Sequence, residues 1–140
     1  MTTTEESTQA SRLGLQSGQA ICEIGYGDDV DQGLRKGIKA VTGKDLVDED
    51  SDDVTGAIGA FDGVIMWFRE EDGDLAESLT SASMHLDEGG TFWLLTPKAG
   101  KAGHVPPSDI SEAATAAGLP PAASISAARD WTGTRLPVRR

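Results

Sequence analysis

The sequence predicts a layered α/β protein, a mostly parallel sheet with helices on both faces and an antiparallel pair at its C-terminal end. Three observations predict it. Residues Gln19 to Asp29 read as a short buried strand (Ala20, Ile21, Cys22, Ile24), a glycine turn (Gly25-Tyr-Gly27) and the start of an amphipathic run. Phe61 to Phe68 and Thr91 to Thr96 are continuous apolar runs of the kind buried on both faces of a parallel sheet. Helix-period stretches separate these strands over the first 118 residues, an alternation that builds right-handed crossovers.

In chain order, residues 1–11 carry no apolar period and read as a disordered tail, so residues 12–140 form the expected single domain. Leu13 and Leu15 read as apolar anchors ahead of the glycine turn that launches the first strand. From Val30 the stripe Val30, Leu34, Ile38 and Val41 predicts a helix. Asp28 and Asp29 are expected at its N-terminus and Gly43 at its close. Lys44 to Asp53 is dominated by acids around Leu46 and Val47 and holds at most a very short edge strand. Phe61–Phe68 is the expected central strand. Leu75, Leu79, Ala82 and Leu86 predict a second helix capped by Asp74 and stopped at Asp87-Glu-Gly-Gly90, and Thr91–Thr96 a further strand. A third helix is expected after Pro106-Pro107, with Ser108 or Asp109 as cap and Glu112 in capping-box spacing. Residues 122–127 and 131–138 read as two closing antiparallel strands.

Composition narrows the function classes. The net charge of -11 is unevenly placed: residues 1–74 hold 17 acids against 6 bases, and residues 98–140 hold 3 against 6. An acidic body repels phosphate backbones, so general nucleic-acid binding is not expected. The acidic N-terminus lacks the features of a secretory signal, and the longest apolar run is far below the roughly 20 residues of a membrane span. The expectation is a soluble cytoplasmic protein. Cys22, the one cysteine, reads as a core position, and one cysteine with two separated histidines gives no zinc spacing, so no metal site is expected. His85 reads as structural.

Two groups of residues are candidates for a site. A turn at the carboxyl end of a strand lets backbone N–H groups approach a ligand, which singles out Glu23, Gly25, Tyr26, Gly27 and Asp28. The basic loop after the second apolar strand contributes Lys98, Lys101 and His104. Arg135 adds charge to the last strand, and Trp131 either supports the loops over the site or caps the sheet.

With these residues in view, the chain resembles a shortened class I S-adenosylmethionine-dependent methyltransferase, a three-layer Rossmann-like fold with fewer strands. Glu23-Ile-Gly-Tyr-Gly27 resembles the cofactor-binding first motif of that superfamily. Phe61-Asp-Gly-Val-Ile65 resembles its fourth strand, and Leu86 to Trp93 the double glycine and fifth strand that follow. More specifically, Leu95-Thr-Pro-Lys98, Ser108-Asp-Ile-Ser-Glu112, Ala117-Gly-Leu119 and Asp130 to Leu136 resemble the blocks of an uncharacterised actinobacterial family of unknown function. The superfamily resemblance implies S-adenosylmethionine as cofactor, with Glu23, Gly25, Tyr26, Gly27 and Asp28 around it and Asp45 or Asp48 as the ribose acid.

The departures bear on function. The second and third strands must be squeezed into residues 44–60, and Trp67-Phe-Arg-Glu70 stands where amino methylases carry an Asp-Pro-Pro-Tyr type motif. The preferred expectation is therefore a non-catalytic binding or regulatory module acting through a protein partner or a nucleoside-type ligand. The alternative is a small S-adenosylmethionine-dependent methyltransferase.

Overall fold

The computed structural model describes residues 13–48, 61–119 and 123–137, so the expected tail and most of the acidic segment after Asp48 lie outside the described residues. In chain order the elements are β1 (Ile21–Ile24), α1 (Gln32–Thr42), β2 (Val47–Asp48), β3 (Phe61–Trp67), a 3-10 turn (Glu70–Asp72), α2 (Leu75–Ser83), β4 (Leu86–Pro97), α3 (Pro107–Ala116), β5 (Ala123–Ser126) and β6 (Trp131–Pro137). The described strands form one sheet in the order β2-β1-β3-β4-β6-β5. The first three pairings are parallel, and β6 runs antiparallel to both β4 and β5.

Because alternate strand residues point to opposite faces, each apolar run supplies two cores. Ile21, Ile65, Trp67, Trp93 and Leu95 face α1, where Leu34 and Ile38 are fully buried, and Leu13, Leu15 and Trp131 complete that layer. Cys22, Ile24, Val64, Met66, Phe92, Leu94 and Leu136 face α2 and α3 through Leu75, Leu79, Ile110 and Ala114. Complete burial of a leucine or isoleucine contributes roughly 1.5–3 kcal/mol, so α1 is held by packing despite Gly33 and Gly37. The N-terminal lead-in is tied down by more than its leucines: the Trp93 indole donates to the Leu13 carbonyl at 2.8 Å.

Local details differ from the sequence expectation in three places. Helix α1 starts at Gln32, and its cap is Asp31, whose carboxylate accepts from the Leu34 N–H at 2.7 Å. Asp28 and Asp29 stand before the helix. Leu86 opens β4 instead of closing α2, because a strand partner is available: it lies opposite Phe61, and the register then jumps so that Gly63 lies opposite Thr91. The double glycine is therefore an irregular part of β4, not a helix stop. Helix α3 begins two or three residues earlier than a Ser108 or Asp109 cap implies, with Pro107 at its first position and no side-chain cap bond, since its N-cap, Pro106, has no side-chain acceptor.

Candidate functional site

The chain leaves β1, crosses through α1 to β2 on one side, and later enters β3 on the other. The strand order thus reverses at the carboxyl ends of β1 and β3, the position where open α/β sheets form a ligand crevice. A crevice of about 320 Å³ is present there, lined by Gly25, Tyr26, Phe68, Arg69 and Asp72 among others.

Its inner wall is made by the chain itself. Gly25 has φ +78°, and a Cβ on it would fall 2.2 Å from the carbonyl oxygen of Trp67. The glycine is needed because the end of β3 approaches the turn. A Cβ on Gly27 would meet the Arg69 guanidinium and an Asp29 carboxylate oxygen, each at 3.2 Å.

Arg69 organises this wall. Its Nη1 donates to the carbonyls of Gly25 at 2.7 Å and Trp67 at 3.1 Å, and its Nε to Asp29 at 3.0 Å. Nη2 donates to the other Asp29 oxygen, completing a bidentate pair. Asp72 accepts from the Arg69 backbone N–H at 2.9 Å, and the guanidinium lies 5.3 Å from the Trp131 ring centre. Only 9% of Arg69 is exposed, and a cation so placed must be compensated by paired carboxylates and fixed acceptors. The bond from Arg69 lowers the pKa of Asp29 against an opposing effect of burial. Burial acts to lower the pKa of Arg69, but Asp29 and then Asp72 outweigh it and the net shift is upward.

The glycine turn and the loop that carries Lys98, Lys101 and His104 meet at this arginine. A Cβ on Gly103 would lie 2.9 Å from the Arg69 Cβ, and the Glu70 N–H donates to the Gly103 carbonyl at 2.9 Å, so the Lys98–His104 loop closes over it. Trp131 packs edge-on to Trp67 with ring centres 4.9 Å apart, and its indole donates to the Asp29 carbonyl at 3.2 Å. It is a buried strut beneath both loops.

The remaining candidates are tied to their own surroundings. Glu23 is 4% exposed, and its carboxylate is shared between Arg35, at 2.7 and 2.9 Å, and the Trp67 indole, at 2.9 Å. The bond that Arg35 donates to Glu23 raises the pKa of Arg35. Tyr26 is exposed, with Arg35 stacked 4.5 Å from its ring centre and Gln32 donating to its hydroxyl at 3.1 Å. Asp28 is exposed. Lys98 reaches Ser126 at 2.6 Å, Lys101 pairs with Asp130 at 3.2 Å, and the His104 Nδ1 bonds the Pro97 carbonyl at 2.9 Å. Arg135 stands opposite Trp93, four residues or about 13 Å along β6 from Trp131, and is not brought to the crevice. Asp45 pairs with Lys39 at 2.8 Å, and Asp48 is the last residue of β2, in register with Glu23. Among the described residues no group of three or more His, Cys, Asp or Glu side chains is placed to hold a metal, and no helix is long and apolar enough to cross a membrane.

Sequence reasoning missed Arg69 as a site residue. The signal was present: Arg69 is the only Lys or Arg between Lys44 and Lys98, and it directly follows the apolar run Phe61–Phe68.

The sheet order, the glycine turn after β1 and the antiparallel end define a methyltransferase-like Rossmann fold. Solved structures agree. The partner of the Haloferax volcanii Trm112 methyltransferase activator, seen in their complex, superposes with a TM-score of 0.63 at 14% identity, covering 95% of this chain and 87% of that one. An S-adenosylmethionine-dependent methyltransferase of Mesorhizobium loti gives 0.60 at 11% identity over 94% and 96%. The 1,6-didemethyltoxoflavin-N1-methyltransferase of Burkholderia thailandensis, with bound S-adenosylhomocysteine, gives 0.58 at 13% identity over 98% and 78%. Within this fold the chain belongs to DUF3052, a family described as proteins of unknown function, which it matches over residues 10–140. Uncharacterized proteins of Mycobacterium tuberculosis and Mycobacterium bovis are 42% identical to it over 130 residues, 93% of this chain and 78% of theirs.

Proposed function

We propose that this protein is a non-catalytic, methyltransferase-like module of the cytoplasm that regulates by binding, through a protein partner or a nucleoside-type ligand. The observation that carries the reading is Arg69. Its guanidinium takes the Gly25 and Trp67 carbonyls and Asp29, so the glycine turn that a cofactor would approach is bonded to the protein's own side chain. The residues present do not fit S-adenosylmethionine at this mouth. Gly25 and Gly27 make room for Trp67 and Arg69, the acid in the first motif is held by Arg35 and Trp67, and Asp45 is held by Lys39. The complex of one structural neighbour with its activator supports action through a partner protein.

The alternative, a small methyltransferase, draws on the neighbour that binds S-adenosylhomocysteine and requires Arg69 to leave the crevice. Calorimetric titration with S-adenosylmethionine and S-adenosylhomocysteine separates the two. The expected result is no binding to the wild type at millimolar ligand. Micromolar binding by the wild type that Gly25→Val abolishes would overturn the proposal.

A further inference from the structure

A second cavity, of about 340 Å³, lies between the start of α3 and the face of β4 and β6. Its floor is unlike the rest of that face. Phe92, Leu94 and Leu136 are apolar and fully buried, as a core strand requires, but the same face changes to Thr96, Thr132 and Thr134 where it passes under α3. Thr96 and Thr132 are directly opposed across the two strands, and Thr134 lies opposite Leu94. Thr96 is 1% exposed and Thr134 6%, and both line the cavity.

Valine has the same shape as threonine and would line this space without a hydroxyl, so the three threonines bring donors and acceptors to a face that is otherwise apolar. His104 adds another polar group, its ring held by a hydrogen bond between Nδ1 and the Pro97 carbonyl at 2.9 Å. Val105 and Ile110 provide apolar walls, and among the described residues no Lys, Arg, Asp or Glu lines the cavity. Volume, apolar walls and a few placed polar groups are the attributes of small-molecule sites.

From this geometry we infer that the α3–β6 cavity binds an uncharged heterocycle of nucleobase size, its edge paired with the threonine hydroxyls and its faces against Val105 and Ile110. Hydroxyls both donate and accept, which suits a ring edge carrying both kinds of group, and the described lining offers an ionised ring no counter-ion side chain. The inference rests on the binding role proposed above and gives its small ligand a class and a place away from the switch point.

The test is amide chemical-shift mapping of the full chain with adenine and with uracil, using orotate as the ionised counterpart of uracil. At least one neutral base is expected to give saturable shifts at Thr96, Val105, Ile110 and Thr134 at millimolar concentration or below, with orotate at least about tenfold weaker. Thr134→Val, which keeps the shape, is expected to weaken binding about three- to tenfold while leaving thermal stability equal or higher, and Thr132→Val serves as a second variant. No cavity shifts with either base, shifts indifferent to both variants, or equal binding of orotate would overturn the inference. Micromolar binding of S-adenosylhomocysteine sensed at Gly25 would instead overturn the non-catalytic reading, so the two failures are distinguishable.

Discussion

Gly25→Ala tests whether the glycine turn serves the fold or a ligand. In the native backbone Gly25 has φ +78°, which costs a residue with a Cβ roughly 1–2 kcal/mol. The new methyl group would stand 2.2 Å from the Trp67 carbonyl oxygen and 3.2 Å from its carbon, both backbone atoms of the central strand. Relief requires β1 and β3 to separate at their carboxyl ends, which also lengthens the Arg69 bond to the Gly25 carbonyl. Overpacking of this kind adds about 1–3 kcal/mol, for a total of about 2–5 kcal/mol. At about 3 °C per kcal/mol for a chain of this size, the midpoint of thermal unfolding should fall by about 6–15 °C. Urea unfolding followed by circular dichroism gives the free energy directly. Gly27→Ala is the control: its φ is not positive and its neighbours are ends of side chains, so about 1 kcal/mol or less is expected. If Gly25→Ala unfolds within about 0.5 kcal/mol of the wild type, the contact with Trp67 is not what requires glycine, and the reasoning is refuted.

Two further outcomes follow from the charged groups. Glu23→Ala removes the acceptor of both Arg35 and the Trp67 indole; it should cost about 2–4 kcal/mol in urea unfolding, and a double-mutant cycle with Arg35→Ala should show strong coupling. Additive single effects would sink that assignment. Asp29 has its pKa lowered from 3.8 by the bond from Arg69, so it contributes stability that is fully present above the unfolded value and is lost as pH falls through the folded one. The stability difference between wild type and Asp29→Asn should therefore be constant near neutrality and shrink below about pH 4; a difference that grows on acidification contradicts the pairing.

Much of the architecture was legible because it depends on local periodicity. The apolar run Phe61–Phe68 can be satisfied only by burial on both faces, and the spacing of Leu34 and Ile38 only by a helix lying on the sheet. Leu86 was misread because it continues a helical spacing; its burial opposite Phe61 in a strand depends on a partner 25 residues away in sequence. For the same reason Asp31, and not Asp28 or Asp29, caps α1: the choice depends on where the turn leaves β1.

The candidate site was legible as a position but not as chemistry. Linear order placed the glycine turn at the end of β1 and the basic loop after β4, since both follow strands that must lie side by side. Spacing cannot say what fills the gap between them, because that depends on which side chains from distant segments converge. Only the tertiary structure brings Arg69 back from the end of β3 to the Gly25 carbonyl and pairs it with Asp29, 40 residues earlier. It likewise decides that Glu23 faces Arg35, and that threonines of β4 and β6 meet under α3. Backbone preference and apolar period are properties of neighbouring residues, and they set the sheet. Compensation of a buried charge or hydroxyl is a property of whatever the folded chain places within about 3 Å, and it sets the site.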